Sequence, residues 1–144
     1  MTIHGREELD REGRDIAANT RASLMSDTKW RKLLIALDQD DLELSQCVVK
    51  FIDIADEKVM ARPTGLYPPR PWVDTIEFGP IPLRSIEWML FPRVAEYRQG
   101  PHFPKRRVHQ DVDDAKRILD ELGRYPAELT ERGLLLIGHL PAEG

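Results

Sequence analysis

Four prolines fall within the nine residues from Pro63 to Pro71, beside Gly65 and Tyr67. Proline has no N–H to give to a strand ladder, so this stretch is an ordered loop or a stiff extended arm. Any sheet must be assembled from separate pieces on either side of it. Upstream, Gln46 to Ile54 is rich in β-branched residues and reads as a strand. Lys58 to Arg62 follows after Ala55-Asp56-Glu57, which predicts a hairpin. Downstream, Trp72 to Phe78 and Ser85 to Phe91 read as two more strands, the second with Ile86, Trp88 and Leu90 on one face. Leu134 to Gly138 predicts a buried final strand.

Two helices stand out against this pattern. Ser26 and Asp27 offer a cap before Thr28 to Leu37, where Trp30, Leu33, Leu34 and Leu37 share a face. The acids Asp38, Asp40, Asp41 and Glu43 end it, because carboxylates near a helix C-terminus oppose its dipole. Asp111 caps the second helix, whose stripe is Val112, Ala115, Ile118, Leu119 and Leu122, and Gly123 closes it. Between the last two long elements, Pro92 to Gln110 carries Arg93, Arg98, Lys105, Arg106 and Arg107 against the single acid Glu96 and predicts a basic loop. Pro126 to Glu131 predicts one helical turn. Residues 1–25 have only Leu9 and Ile16 at helical spacing, with Gly13 between them, and predict a weakly helical appendage.

A chain of 144 residues suits one core. Residues 26–144 are therefore expected to form a single α+β domain. Its expected plan is an antiparallel β-meander of about four to five strands against two main α-helices, with the N-terminal helical appendage added. Trp30, Phe51, Trp88, Leu119 and Ile137 are the expected core.

Hydrophobic residues at 41% and charged residues at 32% describe a globular chain with a charged surface. Met1 to Asn19 alternates acids and bases and lacks the apolar stretch of a secretory signal. No window reaches the roughly 18 apolar residues of a membrane span. Cys47 is the only cysteine, so no disulfide forms within the chain. Together these features predict a soluble cytoplasmic protein with no membrane partner.

Catalytic and metal chemistry finds little support. Cys47 lies inside an apolar run, whereas a reactive thiolate needs an exposed, electropositive setting. His102 and His109 are seven residues apart with no compact ligand set around them. Asp56-Glu57-Lys58, preceded by Asp53, is similar to the acid-x-lysine arrangement of metal-dependent nucleases, but it falls where a hairpin should turn. Glycine-rich phosphate loops and Gly-x-Ser-x-Gly are absent. The expectation is a protein without catalysis, cofactor or metal.

Binding is better supported. Asp38, Asp40, Asp41 and Glu43, with Asp56 and Glu57, can steer a basic partner by long-range attraction. Tyr67, Arg70 and Trp72 combine aromatic and cationic groups in a stiff loop, which lowers the entropic cost of binding. These nine residues are the candidate partner-binding set. Lys105-Arg106-Arg107 with His102, Phe103 and Tyr97 mixes phosphate-neutralising charge with stacking rings. The net charge of -4 and the acids Asp111, Asp113 and Asp114 argue against nucleic acid as the partner.

Asp27-Thr28-Lys29-Trp30-Arg31-Lys32-Leu33, the strand Val49 to Asp53, Ile86-Glu87-Trp88, and an ending of Leu122-Gly123, Tyr125-Pro126, Glu128, Gly133 and Ile137-Gly138 carry a resemblance. Over roughly residues 26–140 the chain resembles an uncharacterised family of small bacterial proteins similar in kind to the immunity proteins of polymorphic toxin systems. The resemblance implies a protein that neutralises a cognate toxin by covering its active site. No functional residues carry over, since the family's sites are undefined. A non-catalytic adaptor or interaction protein is the alternative, with a nucleic-acid-binding protein ranked below it.

Overall fold

The computed structural model describes residues 20–141. Their order is β1 (Thr20–Ser23), α1 (Asp27–Leu37), β2 (Gln46–Phe51), β3 (Lys58–Ala61), β4 (Trp72–Thr75), β5 (Gly79–Pro82), a 3-10 turn (Leu83–Ser85), β6 (Ile86–Pro92), β7 (Val94–Tyr97), β8 (Arg106–His109), α2 (Val112–Leu122), β9 (Ala127–Leu129), β10 (Gly133–Ile137) and β11 (His139–Pro141). The fold class is α+β, as the sequence predicts. A five-stranded antiparallel sheet in the order β3-β2-β6-β10-β9 packs one face against both helices.

Helix α1 forms where its periodicity places it. The Ser26 hydroxyl accepts from the Lys29 N–H at 3.1 Å, and Trp30, Leu33, Leu34 and Leu37 are buried. Helix α2 buries Val112, Ala115 and Leu119. Asp111 precedes it but does not cap it. The Asp111 carboxylate instead accepts from the Glu43 N–H, and the Asp111 N–H donates to the Glu43 carbonyl, both at 2.8 Å. This reciprocal pair ties the start of α2 to the acidic turn after α1.

The expected meander is corrected in its order. β2 and β3 do form the hairpin, but β4 pairs only with β5, apart from the main sheet. Pro80 and Pro82 deprive β5 of N–H donors, which suits a strand with a single neighbour. β6 pairs directly with β2 and β10 instead. Three further expectations change. The basic stretch is a hairpin of β7 and β8, residues 127–129 are a strand where a helical turn was expected, and Thr20–Ser23 pairs with β11. The helix expected around Leu9 and Ile16 lies outside the described residues.

A one-residue irregularity explains where the core expectation fails. Lys50 pairs with Trp88 while the next residue, Phe51, pairs with Ile86, so Glu87 bulges out of the ladder. The bulge returns Ile86 to the helix-facing side with Met89 and Phe91. Trp88 and Leu90 turn to the opposite face, beside Leu135 and Val48. Trp30, Phe51 and Leu119 are buried as expected, but Trp88 and Ile137 are half-buried. Trp88, Leu90 and Leu135 line a shallow cleft of about 450 Å³ on that second face, with Thr130, Glu131 and Arg132 around it.

The edges of the sheet are short or occupied. β9 has three residues, and the Ala61 N–H of β3 donates to the Glu77 carboxylate at 3.0 Å. Among the described residues no helix is long and apolar enough to cross a membrane.

β1 is tied to the body through His139, which is buried. Its Nε2 lies 2.6 Å from the Arg84 carbonyl and must donate there, so Nδ1 accepts from the Ser23 hydroxyl at 2.9 Å. Burial pushes the imidazole below its ordinary value of 6.5, the bond to the Arg84 carbonyl and the Glu87 carboxylate pull it up, and the Arg84 cation pushes it down. The unfolded chain takes up a proton near pH 6.5 that the folded chain refuses until lower pH. Stability should therefore fall as pH drops through 6.5 towards the depressed value, and His139→Gln should flatten that slope. Urea midpoints across this range check it.

Candidate functional site

Helix α1 and the proline loop build the site together. Arg62 fixes the start of the loop: its Nη2 lies 3.1 Å from the Asp38 carboxylate and its Nε donates to the Leu44 carbonyl at 3.0 Å. The chain then runs back beside α1. Arg31, about 10 Å up the helix at ~1.5 Å per residue, donates to the Leu66 carbonyl at 2.7 Å. Leu66 is buried in the core, and the Leu83 N–H reaches the Pro71 carbonyl at 3.0 Å. The loop is thereby pinned at its start, middle and end.

That pinning orients its aromatic residues. Tyr67 is 71% exposed, and the Arg31 guanidinium lies 5.7 Å from its ring centroid. The peptide bond from Tyr67 to Pro68 is cis. Trp72 is half-buried at the start of β4, with the Arg70 guanidinium 5.8 Å from its ring centroid. Both rings thus carry a cation within the range of cation–π attraction. Tyr67, not Trp72, is the aromatic side chain most presented to solvent.

The nine candidate residues divide into two groups. Asp38, Asp40, Asp41 and Glu43 sit at the C-terminal end of α1, where the proline loop carrying Tyr67, Arg70 and Trp72 begins. Asp40 and Asp41 are exposed, whereas Asp38 is engaged by Arg62 and the Glu43 backbone by Asp111. Asp56 and Glu57 lie at the other end of β3, with Glu57 about 16 Å along the strand from Arg62 at ~3.3 Å per residue. Glu57 pairs there with Arg132 at 3.2 Å. One surface therefore holds the first acidic group and the aromatic loop, and the second acidic group stands apart from it.

Two participants escaped sequence reasoning. Arg31 was given no role by the sequence, because nothing local links it to Tyr67. Arg132 meets Glu57 across a separation of 75 residues. Cys47 is buried, and its thiol is pushed far above its ordinary value by burial and by Glu77, with Arg62 partly offsetting them. It packs the core as a protonated thiol. Among the described residues no three His, Cys, Asp or Glu side chains converge in a way that could hold a metal ion. No family model, curated protein or solved structure matches the chain.

Proposed function

We propose that this chain is a non-catalytic, immunity-type protein that acts in the cytoplasm by covering the active site of a protein toxin. The observation that carries the reading is the exposed Tyr67 ring, held over Arg31 on a pinned loop that starts at the acidic turn after α1. An exposed aromatic already fixed in place loses little freedom when it enters a partner's pocket, which is what an interface anchor needs. Asp40 and Asp41 add long-range attraction for a basic cleft such as that of a nuclease or nucleotide-using toxin.

Tyr67→Ala should weaken the complex by about 2 kcal/mol, roughly thirtyfold in Kd, chiefly through faster dissociation. Its effect on folding should stay within about 0.5 kcal/mol, since the ring is a surface group. Reversing Asp40 and Asp41 to lysine should slow association and reduce its dependence on salt. The test is surface plasmon resonance against the copurifying protein, joined to an assay of that protein's toxicity with and without this chain. Unchanged binding by both folded variants would remove this surface from the mechanism. A partner whose activity is unaffected by the chain would sink the inhibitory role.

A further inference from the structure

We propose that the β7–β8 hairpin carries a second, independent binding site, for single-stranded nucleic acid. Its tip encloses a cleft of about 540 Å³ lined by Tyr97, Gln99, Phe103, Pro104, Lys105 and Arg106. Phe103 is 56% exposed, and the Arg106 guanidinium lies 5.6 Å from the Tyr97 ring centroid. Rings beside cations are what a flexible strand needs, because each base offers a face to stack and each phosphate a charge to neutralise.

Electrostatics at the tip favour such a ligand more than the sequence suggested. Within the hairpin Arg98, Lys105, Arg106 and Arg107 stand against one acid, Glu96, which lies 3.7 Å from Lys105 and 3.2 Å from Arg107, while the Glu43 carboxylate approaches from the body through Ser45, whose hydroxyl lies 3.3 Å from Glu43 and 2.6 Å from the Tyr97 hydroxyl. A single carboxylate cannot neutralise this set. Two of the neighbouring acids that sequence reasoning set against it are paired with other cations, Asp113 with Arg93 and Asp114 with Arg117, while Asp111 keeps its charge against the Glu43 N–H. The local excess of positive charge therefore survives on a chain whose net charge is -4.

The hairpin is also held rigidly to the body. The Gln46 side chain donates to the Glu96 carbonyl at 3.0 Å and accepts from the Glu96 N–H at 3.3 Å. Gln110 Nε2 bridges the Gln46 and Pro92 carbonyls at 3.0 and 2.8 Å, and the Tyr97 hydroxyl lies 2.6 Å from that of Ser45. At the tip the Phe103 N–H donates to the Gly100 carbonyl at 3.1 Å, which closes the turn that carries the ring. The cleft thus exists before any ligand arrives, and less ordering is needed on binding.

Fluorescence anisotropy of the full chain with a labelled oligouridine tests the assignment. Binding with a Kd of about 1 to 100 µM is expected at low salt, and about three phosphate contacts predict a roughly twentyfold loss between about 50 and about 200 mM salt. Phe103→Ala, at an exposed position, should weaken binding about tenfold while leaving the salt slope unchanged. Lys105→Glu with Arg106→Glu should abolish binding and leave the circular dichroism spectrum intact. Absence of binding at roughly 0.1 mM protein would overturn the proposal. So would equal affinity for a duplex, equal affinity for free uridine monophosphate, or a Phe103→Ala variant that binds like the parent. Preferential binding of polyglutamate would overturn it too, and would assign the hairpin to an acidic protein.

Discussion

Trp30→Ala should lower the free energy of unfolding by about 3 to 5 kcal/mol, the range for truncating a large buried aromatic side chain. For a domain of this size that is a drop of roughly 10 to 15 °C in Tm. Trp30 has no exposed surface, and a Cβ added at Gly138 would stand 3.0 Å from its ring, so the strand end and the indole are fitted to each other. The indole N–H is buried without a hydrogen-bond partner among the described residues. An unsatisfied buried donor costs about 1 to 3 kcal/mol, so Trp30→Phe should recover much of the loss by deleting that donor with the second ring. Guanidinium unfolding of the three proteins checks both changes. Equal losses for Phe and Ala would show that the shape of the indole matters more than its orphan N–H.

Gly133→Ala is the second large effect. Gly133 opens β10 at φ +150°, a conformation that side-chain-bearing residues rarely adopt, and an added Cβ would meet the Phe91 carbonyl oxygen at 1.9 Å. No rotamer relieves an overlap with backbone. Thr130 locks the turn as well, since its N–H donates to the Gly133 carbonyl at 2.7 Å and its hydroxyl accepts from the Gly133 N–H at 3.2 Å. The expected cost is about 3 kcal/mol or more, from strain and displacement of β6 together. Gly65→Ala is the control. It also has positive φ, at +67°, but nothing lies within 4 Å of its added Cβ. Its cost should stay near about 1 to 2 kcal/mol, the strain term alone. The difference between the two, read from urea midpoints, isolates the steric part.

What could be read in advance was whatever local chemistry decides. α1 and α2 follow from 3.6-residue spacing, and Ser26 caps as its side chain predicts. The β2–β3 hairpin follows from a β-branched run and a shorter strand-sized segment around a polar turn. Strand order was hidden, because the β2–β6 pairing joins residues some forty apart and no periodicity encodes a partner. The Glu87 bulge was hidden for a different reason: one extra residue inverts which face is buried and leaves alternation on both sides of it intact. At the candidate site the exposed acids were recognisable as a type. Their division by β3 was not, and neither was Arg31 beside a tyrosine in a distant loop. The basic hairpin was mistaken for a loop because strands made mostly of charged residues lack an apolar alternation to reveal them.

The flanks of the five-stranded sheet have a consequence for crowded solution. A sheet grows by offering free ladder groups to another chain, and here one flank is three residues long while the Glu77 carboxylate occupies the Ala61 N–H on the other. Extension of this sheet by a strand from another copy is therefore disfavoured at both flanks. Fibril-like stacking is disfavoured even at high concentration, and so is capture of an extended peptide as a sixth strand.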